Sequence, residues 1–312
     1  MMMKPNQANG NSQGLELLIE KLHQHYDDQT CDIILNGMRE KRVVSLRVNT
    51  LKKSKDEIKQ ALDTSHIMYH DVSWYDDVLI VETKESLLEE LDMFKHGWIY
   101  LQSLSSMIPA LIMDAKPKQT ILDMAAAPGG KTTLLAVLTQ DQASITAIEA
   151  HPIRAEKLKF NINRQGIKHV SVMVKDARML DPYFIFDRIL LDAPCSGSGT
   201  ILLNDPKTFS YFTQKLIDKS VETQKALIKK AVDLLKPGET MVYSTCSVLP
   251  DENDNIIQSI LKSGWVEVVP IEDDKWHSIP TLPTQIPGTL LIPPSQYYEG
   301  FFIAKLKKKV KK

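Results

Sequence analysis

The sequence predicts an α/β protein, a doubly wound and mostly parallel sheet preceded by a small α+β domain. Three observations carry this expectation. From Trp98 to Leu306, short apolar strand candidates alternate with helical segments, the rhythm of β-α units whose sheet is covered on both faces. The stretch Leu122–Thr132 (LDMAAAPGGKT) reads as a strand, a tight turn and a helix start. Successive strand ends carry Asp123, Glu149, Asp176 and Asp192, on the side where doubly wound sheets place their ligands.

Taken in order, residues 1–13 are rich in Asn, Gln, Gly and Ser and are expected to be a disordered tail. Leu15, Leu18, Ile19 and Leu22 then line one side of a short helix. Val43–Asn49 reads as a strand and Lys55–Leu62 as a helix, with further strands around Asp71–Tyr75 and Val78–Val81. This β-α-β-β alternation defines a small domain over residues 14–95.

A second domain is expected over residues 96–306. It opens with a strand at Trp98–Leu101 and a helix over Ser103–Met113 that contains Pro109. The strand through Leu122 follows, then a helix from Lys131 and a strand Ser144–Ile148 that ends at Glu149. A helix covers Pro152–Arg164, with proline in its first turn. Strand Val170–Val174 leads to Asp176, and strand Arg188–Leu191 leads to Asp192. A long helix over about Thr213–Leu235 places Ile217, Val221, Ile228, Ala231 and Leu235 on one stripe, interrupted by Gln224, and Pro237-Gly238 ends it. Strand Thr240–Ser244, helix Glu252–Leu261 and strands Trp265–Val269 and Gly300–Leu306 complete the set, with a Pro-rich loop over Ile279–Pro294. Residues 307–312 read as a basic tail.

Composition narrows the function classes. A chain of 312 residues, 43% hydrophobic, has ample length for a buried core in one large or two modest domains. A formal net charge of −1 confines any nucleic-acid contact to local basic patches. Three cysteines, Cys31, Cys195 and Cys246, are too few for a disulfide framework and fit a reducing compartment; no zinc spacing exists among them, so no metal is expected. Residues 1–14 lack the apolar core of a signal peptide and no run is long enough to span a membrane, so a cytoplasmic protein without a membrane partner is expected.

The turn after Leu122 lets backbone approach a ligand at a helix N-terminus. It matches neither GxGxxG nor GxxxxGK[ST]. Glu149 suits the two hydroxyls of a ribose, and Asp176 suits an adenine amino group. With no phosphate-gripping motif elsewhere, that combination favours S-adenosylmethionine over a nicotinamide dinucleotide. The run Asp192-Ala-Pro-Cys195 places a carboxyl and a thiol in one turn, and Thr245-Cys246-Ser247 places a second thiol at the end of the next strand, expected to lie beside the first. Cys31, among Asp27, Asp28 and Asp32, has a poor environment for a thiolate and reads as a small apolar residue.

The motifs Asp123–Thr133 (DMAAAPGGKTT), Asp192–Thr200 (DAPCSGSGT) and Tyr243–Ser247 (YSTCS), in that order, resemble the Sun/Fmu family of RNA (cytosine-5) methyltransferases. The likeness covers Trp98 to Leu306 and extends to Tyr100–Met107, Gln224, Leu235–Gly238, Asp251–Asn253 and Gly300–Lys305. Upstream, Arg47-Val48-Asn49 resembles the family's N-terminal RNA-binding region. The resemblance implies a Rossmann-like methyltransferase domain, a ferredoxin-like N-terminal domain and methyl transfer from S-adenosylmethionine to cytosine carbon 5. Cys246 is then the nucleophile toward carbon 6, Asp192 the partner of the ring nitrogen, Cys195 the residue that assists release, and Lys131 the organiser of Asp192 or the base. It also implies a cofactor site built from Ala126, Ala127, Pro128, Gly129, Gly130, Lys131, Glu149, Arg154, Asp176 and Asp192. Ala125 stands where many members have cysteine, and Glu239 where a second glycine often follows Pro-Gly.

Ribosomal RNA is the expected substrate class, with transfer RNA as the alternative. A DNA cytosine-5 methyltransferase would use the Pro-Cys thiol as nucleophile, against which the second thiol argues; a non-catalytic RNA-binding assembly factor is the other rival. For RNA contact the candidates are Lys305, Lys307, Lys308, Lys309, Lys311 and Lys312, together with Arg47, Lys52, Lys53, Arg154, Arg178 and Lys207. Phe209, Tyr211 and Phe212 either stack on bases or cover the sheet.

Overall fold

The structure, a computed structural model, describes residues 5–310. Helices α1 (Pro5–His25) and α2 (Asp28–Gly37) lead into β1 (Val44–Val48), α3 (Lys55–Thr64), β2 (Tyr69–Asp71) and β3 (Val78–Val81). Two short helices, α4 (Glu85–Glu90) and α5 (Asp92–Lys95), precede β4 (Ile99–Leu101). The strands form one antiparallel sheet in the order β2-β3-β1-β4. Its apolar face, with Leu46, Val48, Leu79 and Val81, packs on Ile58 and Leu62 of α3. A full capping box between Ser54 and Glu57 starts that helix.

Four differences from the sequence reading concern this half. The stretch expected to be a disordered tail is helical from Pro5 onward; residues 1–4 lie outside the described residues. The predicted short helix is therefore 21 residues long, and α2 follows it. The strand at Trp98–Leu101 does not open the second domain, because β4 hydrogen-bonds to β1 with Arg47 opposite Tyr100. Finally, the strand expected at Asp71–Tyr75 is shifted to Tyr69–Asp71, where it pairs with β3.

The second sheet is built from α6 (Leu104–Met113), β5 (Thr120–Asp123), α7 (Gly130–Leu138), β6 (Ser144–Glu149), α8 (Pro152–Gln165), β7 (Val170–Val174), β8 (Phe186–Asp192), α9 (Gln214–Leu234), β9 (Leu235–Thr245), α10 (Asp254–Leu261), β10 (Val266–Val268), β11 (Leu290–Ile292) and β12 (Phe301–Lys308). The order is β10-β12-β9-β8-β5-β6-β7, with β11 on β12. Strands β9, β8, β5, β6 and β7 run parallel, and β12 joins β9 antiparallel. Alternate residues of the central strands point to opposite faces. Leu122, Leu191 and Tyr243 pack with α1, α2, α9 and α10, whereas Ile121, Leu190 and Val242 pack with α6, α7 and α8. The sheet is doubly wound as expected, but the N-terminal helices α1 and α2 belong to the core of this half through Leu18, Leu22, Cys31, Ile34 and Met38.

The basic run begins in strand, since β12 extends to Lys308. Lys307 pairs with Thr240, the Lys305 ammonium donates to Ile112 O at 3.0 Å, and Lys308 donates to Asp233 O and Leu235 O. Lys311 and Lys312 lie outside the described residues. Within the Pro-rich loop, Leu290–Ile292 is a strand.

Candidate active site

The parallel register of β8 and β9 assembles the site. Asp192 stands opposite Ser244, so Cys195 and Cys246, three and two residues beyond, emerge side by side at the carboxyl end of the sheet. The two turns are tied by Ala193 N to Ser244 O at 2.8 Å, Gly199 N to Cys246 O at 3.0 Å and Ser198 Oγ to Ser247 Oγ at 2.9 Å. The thiols lie 3.2 Å apart. At Gly199 the chain touches Gly300, whose N donates to Gly199 O at 2.8 Å; a Cβ on Gly199 would fall 2.0 Å from Gly300 O.

Two residues of Asp251–Asn253 hold these turns from below. The buried Glu252 carboxylate accepts from Ser196 N at 2.7 Å and Ser196 Oγ at 2.6 Å, beside Cys195, and from Gln224 Nε2 at 3.3 Å. Burial raises its pKa despite those donors. Asn253 donates to Ser247 O at 2.9 Å and accepts from Thr245 Oγ1, beside Cys246. Gln224, which interrupts the apolar stripe of α9, also donates to Pro194 O at 2.9 Å. A polar residue on an apolar stripe was the available signal for this support.

Lys131, in the first turn of α7, donates to Asp192 Oδ2 at 2.7 Å and Ser106 Oγ at 2.7 Å, and lies 5.3 Å from the Phe301 ring centroid. Ser244 Oγ donates to Asp192 Oδ1 at 2.7 Å. Burial works against the Lys131 charge, yet the charge and hydrogen bond of Asp192 carry its pKa above the ordinary lysine value. The Cys195 thiol is held well above the usual thiol range by its hydrogen bond with Cys246, by burial, and by the charges of Cys246 and Glu252. Lys131, Asp192, Cys195 and Cys246 thus form one cluster.

The glycine turn borders it. Ala126 N donates to Ile148 O at 2.9 Å, the Ala127–Pro128 bond is cis, and Gly129 caps α7 with φ +109°, a left-handed conformation suited to glycine. Glu149 is 3% exposed; its Oε1 accepts from His151 N at 2.9 Å, while its buried Oε2 has no hydrogen-bond partner and lies 3.6 Å from Arg154 Nη1. Arg154 donates to Ala127 O at 2.9 Å, so it bridges the turn and the second strand end. Asp176 is adjacent by register, two residues past Val174, which pairs with Glu149. Its carboxylate accepts from Arg178 N and side chain, and that pairing lowers its pKa. Asp123 is fully buried under the turn, bonded to Thr132 Oγ1 at 2.7 Å, with its pKa raised by burial to about 6.

Of the residues proposed for RNA contact, Arg47 serves inside the molecule, and three others are bonded to the protein at its surface. Arg47 is completely buried, donating to Gln102 Oε1 at 2.9 Å, Gly130 O at 3.1 Å and Thr133 Oγ1; burial lowers its pKa to about 10. Lys52 donates to His96 O and Arg164 O, both at 2.7 Å. Lys53 pairs with Glu57 and Arg178 with Asp176. Phe209 and Phe212 are core residues, whereas Tyr211 is 54% exposed beside the cysteine turns. A basic residue in an N-terminal motif reads as a surface contact because sequence does not show that it is buried between two domains.

Comparison with known proteins gives matches in sequence and in fold. The family model for 16S rRNA methyltransferase RsmB/F matches residues 110–307, and that for the RsmF/B-like ferredoxin-like domain matches residues 16–87. The chain is 36% identical to ribosomal RNA small subunit methyltransferase F of Shewanella amazonensis over 85% of its own length and 58% of that protein, and 36% identical to the same-named protein of Vibrio parahaemolyticus over 85% and 56%. It therefore spans little more than half the length of these relatives. Among solved structures, NSun6 from Pyrococcus horikoshii with SFG superposes with a TM-score of 0.84 at 25% identity, covering 94% of this chain and 98% of that one. A methyltransferase homologue from the same organism gives 0.78 at 29%, covering 99% and 100%.

Proposed function

The chain belongs to the 16S rRNA methyltransferase RsmB/F family, the Sun/Fmu methyltransferases its motifs resemble, and from that premise we propose that it transfers a methyl group from S-adenosylmethionine to carbon 5 of a cytosine in small-subunit ribosomal RNA. The observation that carries this reading is the cluster of two adjacent thiols with the Lys131–Asp192 pair at the carboxyl end of the sheet.

The residues present fit the cofactor. Glu149 offers a buried carboxylate oxygen without a hydrogen-bond partner, and the Ala126–Lys131 turn brings backbone to a helix N-terminus. SFG, present in the NSun6 structure, is an analogue of S-adenosylmethionine. When bound, S-adenosylmethionine supplies the electrophilic methyl group. Glu149 would hold the ribose hydroxyls, Asp176 the adenine end, and Arg154 the turn around it.

Carbon 5 of cytosine is a poor nucleophile. Cys246 therefore adds to carbon 6, moving electron density onto carbon 5 and toward the ring nitrogen. Asp192 shares a proton with that nitrogen, and Lys131 offsets the negative charge that develops there. After methylation Cys195 assists removal of the carbon 5 proton, the electron pair of that C–H bond re-forms the carbon 5–carbon 6 double bond as the carbon 6–sulfur bond breaks, and Cys246 leaves as thiolate. The N-terminal domain and Tyr211 face RNA in this reading.

Methyl-labelled S-adenosylmethionine incubated with 16S rRNA, assembled small subunits and transfer RNA tests the proposal through nucleoside mass spectrometry. 5-Methylcytidine in ribosomal RNA supports it. Label confined to transfer RNA shifts the substrate, and cofactor binding without turnover on any RNA supports the assembly-factor alternative.

A further inference from the structure

Ser106 and Gln102 have no role in the mechanism above, although both lie in the Tyr100–Met107 stretch. The Lys131 ammonium donates to Ser106 Oγ at 2.7 Å and Asp192 Oδ2 at 2.7 Å. An ammonium has no acceptor, so Ser106 receives this bond and the lysine is fixed between one neutral and one charged oxygen. Gln102 Nε2 donates in turn to Ser106 O at 3.1 Å and Ser106 Oγ at 3.4 Å.

The direction of the Gln102 amide is decided by Arg47. A guanidinium only donates, and Arg47 Nε reaches Gln102 Oε1 at 2.9 Å, so the amide oxygen faces Arg47 and its NH₂ faces Ser106. Arg47 stacks on Tyr100 at 4.8 Å from the ring centroid and is anchored to α7 through Gly130 O and Thr133. One chain of hydrogen bonds thus runs from Arg47 of β1 through Gln102, Ser106 of α6 and Lys131 of α7 to Asp192 of β8 and Ser244 of β9.

We propose that Ser106 is a positioning residue for the Lys131–Asp192 pair, and that Gln102, oriented by Arg47, holds Ser106 for it. The proposal rests on the methyltransferase reading above. Ser106 touches neither base nor cofactor in that reading; it acts by fixing where the Lys131 charge stands. Without Ser106 Oγ the ammonium keeps Asp192 alone and swings on a flexible four-carbon stem. The groups facing Lys131 are Asp192 from β8, Cys246 after β9, Asp123 from β5 and Tyr100 ahead of α6. Loss of the neutral acceptor leaves all of these in place.

The test compares Ser106→Ala with Ser106→Thr in the full chain. In the alanine variant kcat falls ten- to hundredfold, KM for S-adenosylmethionine stays within twofold, the melting temperature is unchanged, and the alkaline limb of the rate profile moves to lower pH. Threonine keeps the hydroxyl and restores all of these. A substrate-free readout is the titration of Lys131, followed by NMR of lysine labelled at the ε-carbon; its midpoint falls in Ser106→Ala and not in Ser106→Thr. Wild-type kcat in the alanine variant, or a fall uniform in pH with a lowered melting temperature, overturns the proposal. If the wild-type protein methylates no RNA while the Lys131 midpoint still moves, the methyltransferase reading fails and the positioning role stands. Turnover by the wild type with no shift in midpoint or rate profile removes the positioning role alone.

Discussion

Cys195 Sγ and Cys246 Sγ lie 3.2 Å apart, yet their surroundings differ. Cys195 is hydrogen-bonded to its neighbour, buried, and exposed to the charge of Glu252, all of which keep it a thiol. Cys246 is the thiol whose charge couples to Lys131. Two thiolates at this separation would repel each other. The arrangement divides the labour of the proposed reaction, with Cys246 attacking while Cys195 stays protonated through that step.

Glu149 gives a test of the cofactor site. Its buried Oε2 lacks a hydrogen-bond partner, so a ribose hydroxyl donating there gains a charge-assisted bond of about 1.5–3 kcal/mol. Glu149→Ala should weaken S-adenosylmethionine binding about 10- to 100-fold by calorimetry, with kcat at saturation little changed. Unaltered affinity would place the ribose elsewhere.

Gly199 tests the scaffold under the thiols. Its missing Cβ leaves room for Gly300 O, which a methyl would meet at 2.0 Å. Gly199→Ala should cost about 1–3 kcal/mol in denaturant unfolding. It should also lower turnover, since Gly199 N holds Cys246 O. Full activity in a stable variant would show that the two turns tolerate separation.

Asp123 provides a pH test. Its pKa rises from 3.8 in the unfolded chain to about 6 when folded, so the folded state binds more protons between these values. Stability contributed by this group is therefore lost as pH rises from 3.8 to 6. Asp123→Asn should be more stable than wild type at pH 7, by at most about 3 kcal/mol, and the advantage should disappear toward pH 4. Chemical unfolding of both proteins across that range checks the sign; an advantage that grows as pH falls would contradict it.

Sequence revealed the strand ends because Asp123, Glu149 and Asp192 each close a short apolar run, and the parallel order of β8 and β9 then brings Cys195 to Cys246. Other features depend on pairings distant in the chain. β4 joined the first sheet through β1, a partner some fifty residues earlier whose local pattern names no neighbour. The lysine-rich end reads as a tail by charge, yet Lys305 and Lys308 reach backbone carbonyls of Ile112 and Leu235 that only the folded sheet presents. Arg47 shows the same limit: its residue type suggests a surface, and burial of its guanidinium between β1 and α7, against Gln102, makes it a connection.

The most direct measurement is adduct trapping. Cys195→Ala should form a covalent RNA–protein complex with ribosomal RNA and S-adenosylmethionine, stable on a denaturing gel, because Cys246 still adds to carbon 6 while release is impaired. The Cys195→Ala/Cys246→Ala double variant should form none, and Cys246→Ala should bind cofactor but not methylate. An adduct that persists in the double variant, or turnover by Cys246→Ala, would contradict the assignment of Cys246 as the nucleophile.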